Sequence, residues 1–367
     1  MSQSNSASNM SPFEISPIEV SWFGALCDDD YEQLGVPQVD LLSSWQHCSE
    51  IVRTADRLGF DNILLPSGYD LGIDTLSFAS SIAPLVQNMR LLTAVRVGEN
   101  WVPQLARQLG TLNQVLNGRL VINIISSEMP GETLDGPHRY RRTTETMRAL
   151  RTLMNGERLE MDGEFISLQV DAPRICKATS PAPAFYFGGL SNEARETAAM
   201  DADVYLMWPD TEEQISLIIS DMRDRAARHN RTIKFGYRVH VVVRETEEEA
   251  RNAAAYLISA VDEATGDAIR AKSLDSTSIG VQRQAELRAA AHEDGFIEPS
   301  LWTGIGKARS GCGAAIVGTP QQVIEKIQRY QTLGIEAFIF SGYPHVDEAK
   351  RFAELVLPHL HHGPLAL

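Results

Sequence analysis

Short apolar runs alternate along this chain with longer stretches in which apolar residues recur every three or four positions. Ile18 to Phe23 reads as a first strand. Leu41 to Leu58 reads as a helix, with Leu42, Trp45, Cys48, Ile51, Val52, Ala55 and Leu58 at helical spacing and Gly59 to cap it. Asn62 to Pro66, Met89 to Val95 and Arg119 to Ile124 follow as strands, separated by a helix through Phe78, Ile82 and Leu85 and another from Pro103 to Leu116. After a polar loop, Ser126 to Pro137, come a helix from Tyr140 to about Asn155 and a small hairpin, Leu159 to Leu168, around the turn signal Asp162-Gly163. Pro183 to Phe187, Val204 to Met207, Ile233 to Val243 and Ala337 to Phe340 complete eight strands. Repeated strand–helix units in this number predict an α/β fold, a (β/α)8 TIM barrel with its site at the C-terminal ends of the strands.

Roughly ninety residues separate the last two strands, far more than one crossover needs. They carry an acidic helix from Glu245, a polar stretch from Lys272 to Gln284, and the Gly-rich run Leu301 to Gly313. Such an insertion after a barrel strand reads as a lid or substrate loop. The expected organisation is a disordered tail over residues 1–14 and one barrel domain over 15–362, with the insertion at about 246–315.

Composition narrows the function. A formal net charge of -15 argues against nucleic acid as the main ligand and leaves any anion pocket dependent on local arginines. No apolar run approaches a membrane span, and the Ser- and Asn-rich start lacks a signal-peptide pattern. Cys27, Cys48, Cys176 and Cys312 form no CxxC pair, and the histidines show no HExxH spacing. The expectation is a cytoplasmic protein with reduced thiols and no metal site.

Candidate chemistry gathers at strand ends. Arg238 and His240, two apart on one strand, share a face; inside a barrel they would bring a guanidinium fork and an imidazole to one spot. The alternative is an outward-facing pair in a salt bridge. Tyr343 and His345 follow the last strand, where either could act as general acid or orient an oxyanion, or both could simply cap the barrel. Arg309 lies in a flexible Arg-Ser-Gly-Cys-Gly segment able to bring a cation over a ligand. Gly188-Gly189-Leu190-Ser191 opens a helix after a strand, where free amides suit a phosphate. Asn123 would face the interior near the end of its strand, and Trp208 ends another.

Together the segments Phe235 to Thr246, Leu301 to Gly306, Arg309 to Gly313, Phe340 to His345, Tyr186 to Gly189 and Tyr205 to Trp208 resemble the bacterial-luciferase-like flavin monooxygenases. The resemblance is closest to the alkanesulfonate monooxygenases and runs from about Val20 to Leu357. It implies FMNH2 delivered by a separate NAD(P)H-dependent flavin reductase, a homodimer or homotetramer, and O2-dependent cleavage of a carbon–sulfur bond to sulfite and an aldehyde. It also implies roles for particular residues. Trp208, Arg238, His240, Tyr343 and Arg309 correspond to the catalytic and sulfonate-binding set; Asn123, Tyr140, Gly189 and Ser191 fall where flavin and its phosphate are held.

Departures from the family pattern shape the expected substrate. The early loop, Pro66 to Asp74, lacks the usual cysteine, and Gly24 to Cys27 stands where a first-strand histidine is usual. Glu99, Asn100, Glu128 and Asp74 add polar groups that an alkyl chain could not use. The expected substrate is therefore a polar organosulfonate such as sulfoquinovose. A general alkanesulfonate monooxygenase, an F420- or flavin-dependent oxidoreductase on the same barrel, and a non-catalytic binder are the alternatives; His240, Tyr343 and His345 argue against the last.

Overall fold

The computed structural model describes residues 17–262, 264, 266, 278–309 and 311–367. The expected tail, residues 1–14, lies outside these, as do residue 310 and residues 272–277 of the expected polar stretch. Thirteen strands occur among the described residues: β1 (Glu19–Phe23), β2 (Asn62–Leu65), β3 (Arg90–Arg96), β4 (Leu120–Ile125), β5 (Leu159–Asp162), β6 (Ser167–Val170), β7 (Phe185–Phe187), β8 (Val204–Met207), β9 (Lys234–Val243), β10 (Phe296–Glu298), β11 (Leu301–Trp302), β12 (Ala315–Gly318) and β13 (Ala337–Ser341).

Strands β1, β2, β3, β4, β7, β8, β9 and β13 pair in that order, all in parallel. The β8–β9 and β9–β13 ladders close the ring into a (β/α)8 barrel. The barrel strands are buried over most of their length because helices cover their outer faces and side chains from across the barrel fill their inner ones, so the runs read as apolar without alternation. Several of the intervening helices start on side-chain caps that accept a backbone N–H: Ser44 before Trp45–Leu58, Asp135 before Gly136–Met154, Ser191 before Asn192–Asp201 and Thr211 before Glu212–Arg228. Ser44 also explains why the first helix begins at Trp45; the residues from Val39 to Leu41 form a separate 3-10 turn. The hairpin β5–β6 turns over four residues, because Gly163 N–H bonds Ile166 O and Glu145 accepts from the amides of Glu164, Phe165 and Ile166.

Phe23, Leu64, Leu92, Val121, Tyr186, Val204 and Ile339 pack together inside the ring. Below them the buried Glu19 carboxylate accepts from Asn62 Nδ2 at 3.2 Å and Tyr186 OH at 2.8 Å, and pairs with Arg90 at 3.4 Å. This polar plug closes the N-terminal end, the face of such barrels associated with stability.

Strand β9 is longer than its neighbours, and that length attaches the insertion. Lys234 N–H bonds Asp203 O on the β8 side; six residues on, His240 N–H bonds Ala314 O from the same edge. Where β8 stops, β12 takes over, pairing Ala315 with His240 through Gly318 with Val243. β11 and β10 then add antiparallel strands outside the barrel. Lys326, fully buried, anchors this ribbon through Glu298 at 2.5 Å and Glu212 at 2.7 Å. The insertion is thus built onto the C-terminal face.

Candidate active site

Register decides which side chains enter the barrel. Arg238 pairs with Ile339 and His240 with Ser341, and paired residues of parallel strands point to the same face. Ile339 belongs to the interior cluster, so Arg238 and His240 face inward, and Asn123 does so two residues beyond Val121. The outward salt-bridge alternative is thereby excluded.

The Arg238 guanidinium is buried with its carbon 4.3 Å from the Phe23 ring centroid and bonds Val239 O at 3.1 Å. No carboxylate among the described residues forms an ion pair with it, and burial, reinforced by neighbouring Arg309, depresses its pKa. His240 is fully buried. Its Nε2 lies 3.2 Å from Cys312 O, which can only accept, so Nε2 carries the proton; Nδ1 then accepts from Ser341 Oγ at 2.7 Å. Burial, with Arg238 and Arg309 close by, holds the imidazole pKa well below its ordinary range, so the ring is neutral.

Tyr343 stacks on His240 at 5.3 Å and meets His345 edge-on at 5.2 Å. Its hydroxyl is buried without a hydrogen-bond partner, and burial pushes its pKa up, so it keeps its proton. His345 opens the helix His345–Leu355 rather than ending a strand. Its backbone N–H bonds Asp30 Oδ1 at 3.0 Å, while neither ring nitrogen has a partner. Desolvation lowers its pKa as well. The Arg309 guanidinium carbon is 6.0 Å from the Tyr343 ring centroid, and its Nη2 reaches Asp29 at 3.3 Å; burial opposes its charge, but Tyr343 and Asp29 more than offset this and raise its pKa.

The other predicted residues line a cavity of ≈ 460 Å³ at the ends of β4, β7 and β8. Asn123, Tyr140, Gly189, Ser191 and Trp208 all border it. Gly188 and Gly189 are required here: a Cβ on the first would lie 2.2 Å from Leu206 O, and one on the second 2.7 Å from Ala194 Cβ. Tyr205 OH fixes Gly189 O at 2.6 Å. Ser191 Oγ caps the following helix by accepting Ala194 N–H, leaving its own proton free to donate beside the helix N-terminus. Ser127 Oγ and Arg139 Nε, both on residues bordering this cavity, are buried without partners. A helix N-terminus, a spare hydroxyl donor and orphaned polar atoms suit a phosphorylated ligand with a polar ring, so these residues fit a flavin mononucleotide.

Trp208 joins the two groups. Its indole packs between two glycines of the insertion, so close that a Cβ on Gly280 would lie 3.0 Å from it and one on Gly311 3.3 Å. Gly311 belongs to the same segment as Arg309, so the insertion covers the cavity and the cationic cluster together.

Of the expected polar groups, Asp74 is committed to capping the helix Thr75–Ile82 through Ser77 N–H at 2.7 Å. Glu128 and Glu99 pair with arginines, Arg139 and Arg96 respectively. Several contributors carried no sequence signal. Phe23, Asp29, Asp30, Ser341 and the Cys312 carbonyl enter through contacts far apart in the chain. Cys27, from the loop after β1, packs against the loop after β2, where a Cβ on Gly68 would lie 3.1 Å from its Sγ. A thiol thus reaches the early loop from another strand; burial, aided by Asp29, raises its pKa and keeps it neutral.

A parallel barrel with buried arginines and neutral imidazoles beside a phosphate-ready cavity is the architecture of a flavin-dependent monooxygenase. The chain belongs to the luciferase-like monooxygenase family, which matches residues 23–337. It is 60% identical over 354 residues to the sulfoquinovose monooxygenase of Novosphingobium aromaticivorans, spanning 95% of this chain and 98% of that protein. It is 47% identical over 350 residues to the sulfoquinovose monooxygenase of Agrobacterium fabrum, spanning 95% and 91%. A riboflavin lyase structure with modified FMN and riboflavin superposes with a TM-score of 0.76 over 96% of this chain and 94% of that one, at 14% identity, a likeness of fold. No helix among the described residues is long and apolar enough to cross a membrane.

Proposed function

We propose that this enzyme cleaves the carbon–sulfur bond of sulfoquinovose, or a closely similar polar organosulfonate, releasing sulfite and an aldehyde. The observation that carries the reading is Arg238, a buried guanidinium with no carboxylate partner among the described residues. A sulfonate is permanently anionic and offers several acceptor oxygens to such a fork, with Arg309 a second donor on the insertion. The substrate choice is supported by relatives of 60% and 47% identity that are sulfoquinovose monooxygenases.

Asn123, Tyr140, Gly189 and Ser191 would hold reduced FMN, in our reading supplied by a separate NAD(P)H-dependent flavin reductase. When bound, the reduced flavin supplies the electrons that activate O2. The carbon bearing sulfur must lose a C–H proton for an aldehyde to form. His240 has both ring nitrogens engaged, which suits it to orienting Tyr343 through their stacked rings. His345 is neutral with both nitrogens unpaired, so it is the better acceptor for that proton. The protonated Tyr343 hydroxyl would serve as the donor. Trp208 and the insertion would exclude water while this happens.

The test is sulfite release with FMN, NADH, O2 and a generic flavin reductase across sulfoquinovose and a series of alkanesulfonates. Sulfite from the sugar in preference to the alkyl series supports the reading, and the reverse preference or no sulfite from any sulfonate refutes it.

A further inference from the structure

The barrel mouth divides into three arcs, and one has no assigned task. The cavity occupies the ends of β4, β7 and β8; the cluster of Arg238, His240, Tyr343 and His345 occupies β9, β13 and β1. Between them lie the ends of β2 and β3. Here Arg96, the last residue of β3, follows Leu92 and Ala94 on the inward face. It is 5% exposed. Nη2 donates to Ser67 O at 3.0 Å and Nε lies 3.3 Å from Glu99 Oε1, yet neither Nε nor Nη1 makes a hydrogen bond.

Leaving buried guanidinium donors unsatisfied is costly, and such orphans in a folded protein call for a partner. The arc is continuous with the anion cluster. Ser67, which holds Arg96, precedes Gly68, which packs on Cys27, and the Cys27 thiol feels both Arg96 and Arg309. In this reading a substrate whose sulfonate lies at Arg238 extends toward this arc, the side of the mouth that the flavin cavity leaves free.

We infer that Arg96 and Glu99 form a hydroxyl-recognition subsite for the carbon skeleton of the sulfonate substrate. The chemistry of the pair selects the ligand class. Each compensates the other's charge, so together they offer little to a second anion. They present donors beside a carboxylate acceptor, and hydroxyl groups are both donors and acceptors. Glu99 keeps 35% of its side chain exposed and so remains open to a ligand. Its pKa is raised, by burial first, with Arg96 opposing and Asp74 adding to the rise. An alkyl chain would desolvate the pair and leave Arg96 Nη1 without an acceptor, so the subsite discriminates by a penalty on the wrong substrate. This inference rests on the sulfosugar reading above and adds to it where the sugar hydroxyls are read.

The test pairs a variant with substrate deletions. Glu99→Gln is preferred because it is partly exposed and keeps a similar shape; Arg96→Met is the second variant. Each is assayed by sulfite release, under the conditions above, on sulfoquinovose and its 2-, 3- and 4-monodeoxy analogues. With wild-type enzyme, deleting a hydroxyl that meets the subsite should lower kcat/KM by about tenfold or more. With Glu99→Gln, the same deletion should cost less than about twofold, because the partner has already gone. The far-UV circular dichroism of Glu99→Gln should match wild type, so that a lost dependence on a hydroxyl reads on the subsite and not on the fold. Fully additive effects at all three positions would overturn the subsite while leaving the sulfosugar reading intact. Absence of sulfite from sulfoquinovose with wild-type enzyme would remove both.

Discussion

Replacing Arg238 with methionine keeps a side chain of comparable length against Phe23 and removes one buried positive charge. The structure sets the terms of the balance. In the free enzyme the guanidinium stacks 4.3 Å from the Phe23 ring and makes one hydrogen bond to Val239 O. Those interactions are worth about 0.5–2 kcal/mol for the cation–π contact and about 1.5 kcal/mol for the bond. Against them stands the cost of a desolvated charge with no ion-pair partner, still several kcal/mol after relaxation. The variant should therefore be as stable as wild type or more so, with a melting temperature unchanged or up by about 2–4 °C. Activity should move the other way. Loss of a charge-assisted fork on the sulfonate should remove about 3–4 kcal/mol of transition-state binding, which is about 10²–10³ in kcat/KM for sulfite release. Thermal unfolding and steady-state sulfite assays on one preparation check both halves. Lost activity together with a clearly lowered melting temperature would refute the argument, because Arg238 would then be supporting the fold. Retained turnover would refute the sulfonate role.

The buried histidines set a pH signature. His240 and His345 have folded-state pKa values below the ordinary 6.5, so the unfolded chain takes up protons there that the folded chain refuses. Their contribution to stability is therefore complete above 6.5 and declines as pH falls toward the depressed values. Urea midpoints should drop between about pH 6.5 and 5 more steeply for wild type than for a His240→Gln/His345→Gln double variant. Lys326→Met would leave Glu212 and Glu298 without their shared cation; a loss of about 3 kcal/mol is expected, seen as a lower melting temperature and faster proteolysis of the insertion. Equal stability would mean the ribbon does not depend on that anchor. Gly188→Ala drives a methyl group against the Leu206 carbonyl, so FMN binding followed by fluorescence quenching should weaken by about tenfold, and unchanged affinity would separate that turn from the flavin cavity.

Much of this molecule is written locally. The apolar runs that became the eight barrel strands, and the Ser, Asp and Thr caps that begin the helices between them, depend on near-neighbour chemistry and so are readable from the chain. Residues brought to the site by strand alternation were readable for the same reason: Arg238 and His240 two apart, and Asn123 near the end of β4. Partnership was not. The tautomer of His240 rests on Ser341 and on the Cys312 carbonyl; the seat of Arg238 rests on Phe23; His345 is held by Asp30. These pairs are up to 315 positions apart in the chain, and no local pattern encodes a contact of that separation. Arg96 shows the limit most plainly. An arginine ending a strand looks unremarkable in sequence, because whether it is solvated or buried with idle donors depends on which loops close over it. Only the assembled barrel mouth decided that.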